Sequence, residues 1–255
     1  MSQLTIVKIG GKIAEDESSL KTFLKDFSQI AGYKILVHGG GNAATQLAEK
    51  LGVPSTMVDG RRITDEETLK IVTMVYAGLI NKNIVARLQT LSIDALGLTG
   101  ADMNLILSVK RPAGEVDYGY VGDVREVNAP VLKELLHQNY VPVIAPLTHN
   151  GAGCLLNTNA DTIAGETAKA LAFDFNVRLI FCMDKKGVLM DEKDDKSAIP
   201  SMTKEEFLQY KEDGIITGGM IPKLENAFGA IAAGVKEIII TRASDIHSGG
   251  GTFIC

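Results

Sequence analysis

The stretch Leu4-Thr5-Ile6-Val7-Lys8-Ile9-Gly10-Gly11 decides the fold prediction, because an apolar run of strand length ends there in a glycine turn. The pattern returns at Lys34 to Val37, which is followed by His38-Gly39-Gly40-Gly41. Short apolar runs of the same kind, separated by segments of helical pattern, cover Val141 to Ile144, Leu179 to Met183 and Glu237 to Thr241. This alternation predicts an α/β fold with a parallel sheet between helices.

Composition limits the function classes. A chain of 255 residues with 45% apolar residues can bury a sizeable core as one domain or two intimate lobes. A net charge of −5 disfavours binding of a nucleic-acid backbone, and three cysteines with no close pair indicate no disulfide framework. Neither a targeting segment nor a run of membrane-spanning length is evident. We expect a cytoplasmic protein without nucleic-acid or membrane partners.

Two helix starts are predicted from spacing. Thr64 precedes Glu67 by three residues, and Thr203 precedes Glu206 by the same interval. A hydroxyl and a carboxylate at this spacing can satisfy free amides of a first helical turn. Both threonines are therefore predicted to be N-caps.

A long helix is predicted from Asp65 to beyond Leu79. Ile71, Val75 and Leu79 recur at four-residue spacing, which makes an apolar stripe along one face. Such a stripe packs in the core or forms a contact between two copies of the chain, and the stripe alone leaves both open.

A β-hairpin is predicted around Asp59-Gly60, since this pair tolerates the positive φ values of a tight turn. The two following residues, Arg61 and Arg62, would point to opposite faces of the hairpin. One arginine would then face solvent and the other would face whatever the hairpin covers.

The two glycine turns should meet at one crevice, because ligands of open α/β sheets collect beyond the carboxyl ends of the strands. Helices that begin near Ile13 and Asn42 would direct backbone N–H groups at a phosphate or carboxylate. Neither turn has the spacing of a Walker A loop or of a dinucleotide-binding fingerprint. Taken singly, each turn is also explained as a structural turn.

Two lysines are candidates for cations in this crevice. Lys8 interrupts an apolar strand, so it either extends to solvent or supplies a charge at the turn. Lys223 follows Pro222, which favours the first turn of a helix, where the helix dipole disfavours a cation unless an anion joins it. An exposed helix lysine is the alternative for Lys223.

Polar residues alternate in Leu155-Leu156-Asn157-Thr158-Asn159-Ala160-Asp161. Asn159 or Asp161 could cap the helix that follows, which would explain one of the three polar residues. Alternate asparagines in an extended segment would offer amide hydrogen bonds to a ligand, and Asp161 could pair with nearby lysines.

These motifs together resemble the amino acid kinase superfamily. The matching segments occur in that family's order: Lys8 to Gly11, His38 to Gly41, Gly60 to Arg62, Asn157 to Asp161, and Gly219 to Lys223. The resemblance implies a three-layer αβα sandwich with an open, mainly parallel eight-stranded sheet. It also implies a lobe for the acylated amino acid and for dimerisation at residues 1–172, and an ATP-binding lobe at residues 173–255.

The resemblance assigns roles to residues. Lys8 and Lys223 would stabilise the transferring γ-phosphoryl group, Asp161 would orient both, and Gly11 would donate its backbone N–H. The acceptor would be held by Gly40, Gly41, Arg62 and Asn157. ATP would contact Asp184, Lys185, Lys186, Gly187, Val188, Leu189, Ile215, Ile216 and Thr217. Mg²⁺ would come with the nucleotide, without ligands from the protein.

The implied reaction is transfer from MgATP to the side-chain carboxylate of N-acetyl-L-glutamate, a step of arginine biosynthesis. N-succinylglutamate as the acceptor, or a metabolite sensor without catalysis, are the alternatives. The family's short type, to which this chain is similar, implies a homodimer through the helix near Asp65 and no inhibition by arginine. His38 is interpreted as structural, because a carboxylate acceptor is already ionised and needs no base.

Overall fold

The computed structural model describes residues 1–58, 60–191, 193–247 and 249–255. The strands are β1 (Gln3–Ile9), β2 (Tyr33–His38), β3 (Met57–Val58), β4 (Arg61–Arg62), β5 (Ala95–Leu98), β6 (Ile106–Lys110), β7 (Gly122–Val127), β8 (Val141–Ile144), β9 (Leu147–His149), β10 (Leu155–Asn157), β11 (Asn176–Met183), β12 (Ser201–Met202), β13 (Glu237–Arg242) and β14 (Thr252–Ile254). The helices are α1 (Gly11–Glu15), α2 (Glu17–Ser28), α3 (Gly41–Lys50), α4 (Glu66–Val72), α5 (Asn81–Gln89), α6 (Ala129–His137), α7 (Ala160–Leu171), α8 (Lys204–Glu212) and α9 (Met220–Ala232). A π-helical segment, Thr73–Ile80, joins α4 to α5, and short 3₁₀ turns lie at Asp102–Asn104, Asp195–Ser197 and Ala243–Asp245.

The main sheet has eight strands in the order β12-β14-β13-β11-β1-β2-β8-β5. Every neighbouring pair is parallel except β13 with β14, which is antiparallel. All five strands expected from the short apolar runs are present in this sheet. The predicted α/β class and the mainly parallel eight-stranded sheet are confirmed.

Alternation along β1 divides the core into two layers. Leu4 and Ile6 belong to the apolar cluster that contains the buried faces of α6, α7 and α9. Val7 and Ile9 belong to the cluster on the other side, with α2, α3 and the long helix. Since side chains alternate along a strand, Lys8 points to the same side as Leu4 and Ile6, towards α7 and α9.

Two smaller sheets accompany the main one. One has four strands in the order β10-β9-β6-β7, and the other is the antiparallel ribbon of β3 and β4. The predicted hairpin is therefore present, and Gly60 has a positive φ of 72° as a tight turn requires. Asp59, the other half of the predicted turn, lies outside the described residues.

The two predicted N-caps have different outcomes. Thr203 caps α8, and Glu206 completes a reciprocal capping box with it, as predicted. The prediction for Thr64 is wrong, because Asp65 is the N-cap of α4 and accepts a hydrogen bond from the backbone N–H of Thr68. Thr64 is buried in a bridge to Gly119, where its hydroxyl bonds to neighbouring side-chain and backbone groups instead.

The long helix runs without interruption over Glu66–Gln89, past Leu79 as predicted. Its predicted stripe is only partly correct: Ile71 and Val75 are buried, but Leu79 is 57% exposed. The i→i+5 bonding of the π-helical segment adds a residue to the turn, which rotates Leu79 outward and brings Ile80 and Asn81 inward.

The length of this helix also corrects an expectation from the sequence. Its 24 residues are long and apolar enough to cross a membrane by length and composition alone. Core helices of soluble proteins meet the same criteria, and here Ile71, Val75 and Ile84 are packed in the core beside the main sheet.

Candidate active site

The two glycine turns lie side by side at the carboxyl ends of β1 and β2. The backbone N–H of Gly39 donates to the carbonyl of Ile9 at 2.9 Å. A Cβ added at Gly11 would lie 3.3 Å from the backbone nitrogen of Gly41, so the turns approach too closely for larger residues. Gly11 begins α1 and Gly41 begins α3, which directs free N–H groups of both helices into one crevice.

A buried cluster of charges lies beside these turns. Lys8 Nζ is 2.8 Å from Asp161 Oδ1, and Lys223 Nζ is 2.7 Å from the same oxygen. The three residues are 7–8% exposed. Lys8 comes from the end of β1, Asp161 from the first turn of α7 and Lys223 from the start of α9, so three separate elements build the cluster.

The charges of this cluster do not balance. Burial by itself would raise the pKa of Asp161, but Lys223 and Lys8 hold that pKa well below its usual range, so the carboxylate stays ionised. Burial, with Lys8 acting in the same direction, lowers the pKa of Lys223 to about 8 against the opposing effect of Asp161. Two ammonium groups thus share one carboxylate in a site shielded from water, and this excess of positive charge favours the binding of a further anion.

The side chains of Asn159 and Asp161 have separate functions. Asn159 caps α7 and accepts hydrogen bonds from the backbone N–H groups of Asp161 and Thr162, at 2.8 and 3.2 Å. This cap fixes the first turn that carries Asp161, which leaves the carboxylate free to meet the lysines. Asn159 is therefore a helix cap, and it also lines the pocket described below.

Arg62 lies 6% exposed in a pocket between the glycine turns and the hairpin. Its Nη2 donates to the carbonyl of Gly41 at 2.8 Å and to Thr45 Oγ1 at 2.9 Å, and its Nη1 donates to Ser55 Oγ. All three acceptors are neutral, and among the described residues no carboxylate forms an ion pair with this guanidinium. A buried guanidinium without a carboxylate is suited to bind an anionic ligand.

The walls of this pocket collect residues from distant parts of the chain. They are Gly39, Gly40, Gly41, Met57, Gly60, Arg61, Arg62, Tyr76, Val121, Pro146, Asn157, Thr158, Asn159 and Ala160. Asn157 ends β10, and its Nδ2 donates to Thr64 Oγ1 at 3.0 Å. The four residues expected to hold an acceptor, Gly40, Gly41, Arg62 and Asn157, all line this pocket.

A groove on the other side of the cluster continues towards the C-terminal half of the chain. Lys8, Gly11, Gly41 and Lys223 line it together with Asp184. Asp184 pairs with Lys12 at 2.9 Å, and this ion pair is largely exposed. The groove thus joins the glycine turns, the two lysines and the segment expected to contact ATP.

A third cavity lies beyond the carboxyl end of β11. Its lining is Met183, Lys185, Gly187, Val188, Leu189, Ile215, Ile216, Thr217 and Met220. Seven of the nine residues expected to contact ATP are among these. Of the described residues in that expectation, Asp184 and Lys186 lie outside this lining, and Asp184 faces the groove instead.

His38 is buried and makes two hydrogen bonds, one to the carbonyl of Gly39 at 2.9 Å and one to Asn81 Nδ2 at 3.2 Å. Burial lowers its pKa to about 4, so the ring is neutral at physiological pH. This geometry agrees with the structural interpretation of His38.

Several residues that line the pocket around Arg62, or hold Arg62 in place, were not singled out from the sequence. Ser55 and Thr45 hold the guanidinium of Arg62, and Tyr76 contributes a pocket wall from the π-helical segment. Burial raises the pKa of Tyr76, while the Arg62 guanidinium opposes that rise. The hydroxyl residues gave no signal, because serine and threonine in loops and helices are common. Tyr76, which follows Val75 of the predicted stripe in the sequence, was the one visible sign.

The fold and the site together define an enzyme that transfers a phosphoryl group to an anionic acceptor. Paired ammonium groups and converging backbone N–H groups are what such a transfer requires, since its catalysis depends on positioning and charge stabilisation. The chain belongs to the amino acid kinase family, whose sequence profile matches residues 3–242.

Individual relatives are similar over the whole chain. A Parabacteroides distasonis protein named acetylglutamate kinase is 65% identical over 252 residues, which are 99% of this chain and 99% of the relative. A Methanopyrus kandleri protein of the same name is 42% identical and is covered over 100% of its length. A crystal structure of a Streptococcus mutans protein superposes with a TM-score of 0.84 at 30% identity, covering 98% of both chains.

Proposed function

We propose that the protein transfers the γ-phosphoryl group of MgATP to the side-chain carboxylate of N-acetyl-L-glutamate, as a step of arginine biosynthesis. The observation that carries this proposal is the buried cluster of Lys8, Asp161 and Lys223 between the acceptor pocket and the nucleotide cavity. Relatives named acetylglutamate kinase, at 65% and 42% identity, support the choice of acceptor.

The acceptor carries two carboxylates, and the site offers a place for each. Arg62 would bind the α-carboxylate, because its buried guanidinium already has its neutral partners and lacks an anion. Asn157 and the backbone N–H groups of Gly40 and Gly41 would complete the contacts from the pocket walls. The side-chain carboxylate would then extend towards Lys8 and Lys223.

Catalysis would proceed by in-line attack of that carboxylate oxygen on the γ-phosphorus, with ADP leaving on the opposite side. The acceptor is ionised at neutral pH, since its ordinary pKa is about 4.3, so no general base is required. Lys8 and Lys223 would neutralise charge on the transferring group, and Asp161 would keep both ammonium groups aligned. Gly11 and Gly41 would donate backbone N–H groups to the phosphoryl oxygens.

The nucleotide would occupy the cavity beyond β11. Val188, Leu189 and Ile216 supply apolar surface for the base, and the groove that contains Lys8 and Lys223 leads from there to the glycine turns. Asp184, Lys185, Lys186, Gly187, Ile215 and Thr217 complete the proposed nucleotide contacts. The two proposed lobes meet after α7, near residues 172 and 173, although the main sheet runs through both.

Mg²⁺ would enter with ATP. Magnesium binds readily through phosphate oxygens and retained water, so the proposal assigns it no protein ligands. In the part of the chain that the structure describes, no three His, Cys, Asp or Glu side chains form a candidate metal group.

The proposed homodimer would form through the long helix. Met74 and Leu79 are apolar residues of this helix, yet their side chains are 53% and 57% exposed on its outer side, where a second copy could cover them.

The cysteines Cys154, Cys182 and Cys255 are all unpaired, which supports the further proposal of a reducing, cytoplasmic location.

The reaction is tested with purified protein, MgATP and N-acetyl-L-glutamate. We expect ADP release that depends on the acceptor, and a hydroxamate after addition of hydroxylamine, which traps an acyl phosphate. Parallel reactions with N-succinylglutamate and free glutamate define the acyl group. ATP binding without ADP release in any of the three reactions would contradict the proposed activity.

The dimer is tested by light scattering after size exclusion. Leu79→Glu is expected to shift the protein towards monomer, because a charge would be buried in the contact. Leu208→Glu on α8 is the matched control, since Leu208 is 54% exposed and lies outside the proposed contact. A monomeric wild-type protein would refute the dimer.

A further inference from the structure

The turn Gly39–Gly41 rests on the long helix at the point where the π-helical segment ends. Asn81, the first residue of α5, is 1% exposed although its side chain is an amide. Its Nδ2 donates to the carbonyl of Val143 on β8 at 2.9 Å and meets His38 Nε2 at 3.2 Å. His38 Nδ1 in turn contacts the carbonyl of Gly39 at 2.9 Å, so a chain of hydrogen bonds joins the helix to the turn.

The hydrogen-bond partners determine where each proton lies in this hydrogen-bond network. The carbonyl of Gly39 can only accept, so His38 Nδ1 must carry the hydrogen. The carbonyl of Val143 can only accept as well, which fixes the amide orientation of Asn81 and leaves its second N–H for His38 Nε2. Lys82 Nζ lies 3.2 Å from Asn81 Oδ1, the orientation that this assignment requires.

Packing leaves no alternative place for these groups. A Cβ at Gly97 would lie 2.0 Å from Asn81 Oδ1, so β5 makes room for the amide only because it carries a glycine there. A Cβ at Gly40 would lie 2.4 Å from Ile80 and 2.9 Å from Tyr76, so the π-helical segment touches the turn directly. The turn is held from beneath both by hydrogen bonds and by contact.

The register of the helix makes this support possible. In a regular α-helix that continues the stripe of Ile71 and Val75, Leu79 would face the core. The π-helical segment rotates it outward and places Ile80 and Asn81 inward, below the turn. A wide turn of this kind frequently marks a functional position.

We propose that Asn81 and His38 are positioning residues for phosphoryl transfer. They hold the Gly39–Gly41 turn in the position where its backbone N–H groups contact the acceptor and the transferring phosphoryl group. Neither side chain touches a substrate, and both act through the carbonyl of Gly39. The inference rests on the proposed kinase activity and adds the residues that preorganise its acceptor turn.

Loss of this support should affect the reaction in a specific way. A small displacement of a substrate-positioning group can cost on the order of 10²-fold in rate. Asn81→Ala, which removes both amide bonds, is expected to lower kcat by about 10- to 10²-fold and to raise the KM of the acceptor. The KM of ATP should stay unchanged, because the proposed base site lies in a separate cavity beyond β11.

His38→Asn provides a graded comparison. An asparagine amide can take the position of Nδ1 and keep the bond to the Gly39 carbonyl, whereas it loses the contact with Asn81. A smaller loss of kcat is therefore expected for His38→Asn than for His38→Leu, which loses both. Equal losses in the two variants would contradict a role of the Gly39 bond.

A spectroscopic measurement tests the network independently of activity. In protein with ¹⁵N-labelled histidine, the His38 ring should show a protonated Nδ1 and an unprotonated Nε2, with slow exchange of the Nδ1 proton. Asn81→Ala should accelerate that exchange. An Nε2–H tautomer in the wild-type protein would overturn the assignment.

Leu88→Ala is the matched control for general destabilisation. Leu88 is fully buried in the same helix, two turns beyond Asn81, so this variant should lower Tm while keeping kcat and both KM values. The inference is overturned if Leu88→Ala loses as much kcat as Asn81→Ala, or if folded Asn81→Ala and His38→Leu turn over like the wild type. A wild-type protein that releases no ADP would overturn the proposed activity together with this inference, so the two failures are distinguishable.

Discussion

The proposed acceptor pocket and the proposed nucleotide cavity differ in how their polar groups are held. In the acceptor pocket, polar side chains are fixed by hydrogen bonds to other polar groups. The guanidinium of Arg62, for example, donates to three neutral acceptors. The nucleotide cavity is lined mainly by apolar side chains such as Val188 and Ile216, and its loop is tied to the sheet through Thr252. On the proposed function, we expect recognition at the first site to depend on fixed donors, and at the second on shape.

This contrast predicts which kinetic constant each substitution changes. Changes at the acceptor pocket should act on the KM of the acceptor, and changes at the nucleotide cavity on the KM of ATP. The charged cluster between them should act mainly on kcat, since its interactions are made with the transferring group.

The largest effect is expected at the cluster itself. Lys8→Ala and Lys223→Ala should each lower kcat by about 10²-fold or more, because each removes a charge that faces the phosphoryl group. Lys133→Ala, which breaks a pair with Asp174 on the surface, is the control and should turn over normally. Steady-state ADP release measures all three, and near-normal turnover of both cluster variants would refute the mechanism.

Arg62→Lys tests the rigidity of the acceptor pocket. A lysine keeps the charge but cannot hold three acceptors with a planar fork, so the KM of the acceptor should rise by about 10-fold or more. Arg61→Lys is the comparison, since Arg61 lines the same pocket in the adjacent hairpin position. If both variants raised the KM equally, the fixed geometry around Arg62 would not be what selects the acceptor.

The pH dependence of the reaction should report Lys223. Its pKa is lowered to about 8, so the ammonium form is present below that value and is lost as the pH rises through it. The kcat/KM for ATP should therefore decline by up to about 10-fold per pH unit above pH 8. Arginine stays charged at these pH values, so in Lys223→Arg the residual activity should decline only at higher pH. A profile that is flat to pH 10 in the wild type would contradict this assignment.

A smaller effect is expected in the nucleotide cavity. Gly187→Ala would place a Cβ 2.6 Å from Thr252 Oγ1, which accepts from the Val188 N–H and donates to the Ile199 carbonyl. We expect a several-fold rise in the KM of ATP, an unchanged KM of the acceptor, and a stability loss of about 1–3 kcal/mol from overpacking. Thermal unfolding and initial rates measure both, and a selective rise in the KM of the acceptor would reverse the contrast.

Much of the fold could be predicted because its signals are local. Apolar runs such as Leu179 to Met183 need only their own residues to identify a buried strand, and the capping box of Thr203 needs only four. The charged cluster was also accessible, because Asp161 and the two lysines stand in positions where an unpaired charge is unfavourable. Their meeting follows from the alternation along β1 and the starts of α7 and α9.

The remainder depends on tertiary contacts that leave no local trace. Thr64 has the spacing of an N-cap, but its backbone forms a β-bridge to Gly119, and Asp65 caps α4 instead. Leu79 has the spacing of a core residue, but the π-helical segment changes the register. The inward rotation of Asn81 follows from the same change, so its role beneath the turn could be found only with the structure.

The central position of β1 has a consequence for how the enzyme folds. β1 pairs with β2, which follows it closely, and with β11, which lies more than 160 residues further along the chain. Pairing over such a separation slows folding, because the ends of a long loop must meet before the contact forms. Lys8 is thus synthesised long before its neighbours in the site, Asp161 and Lys223. Activity should therefore appear only after Lys223 has been synthesised, and refolding after dilution from denaturant should recover secondary structure before turnover.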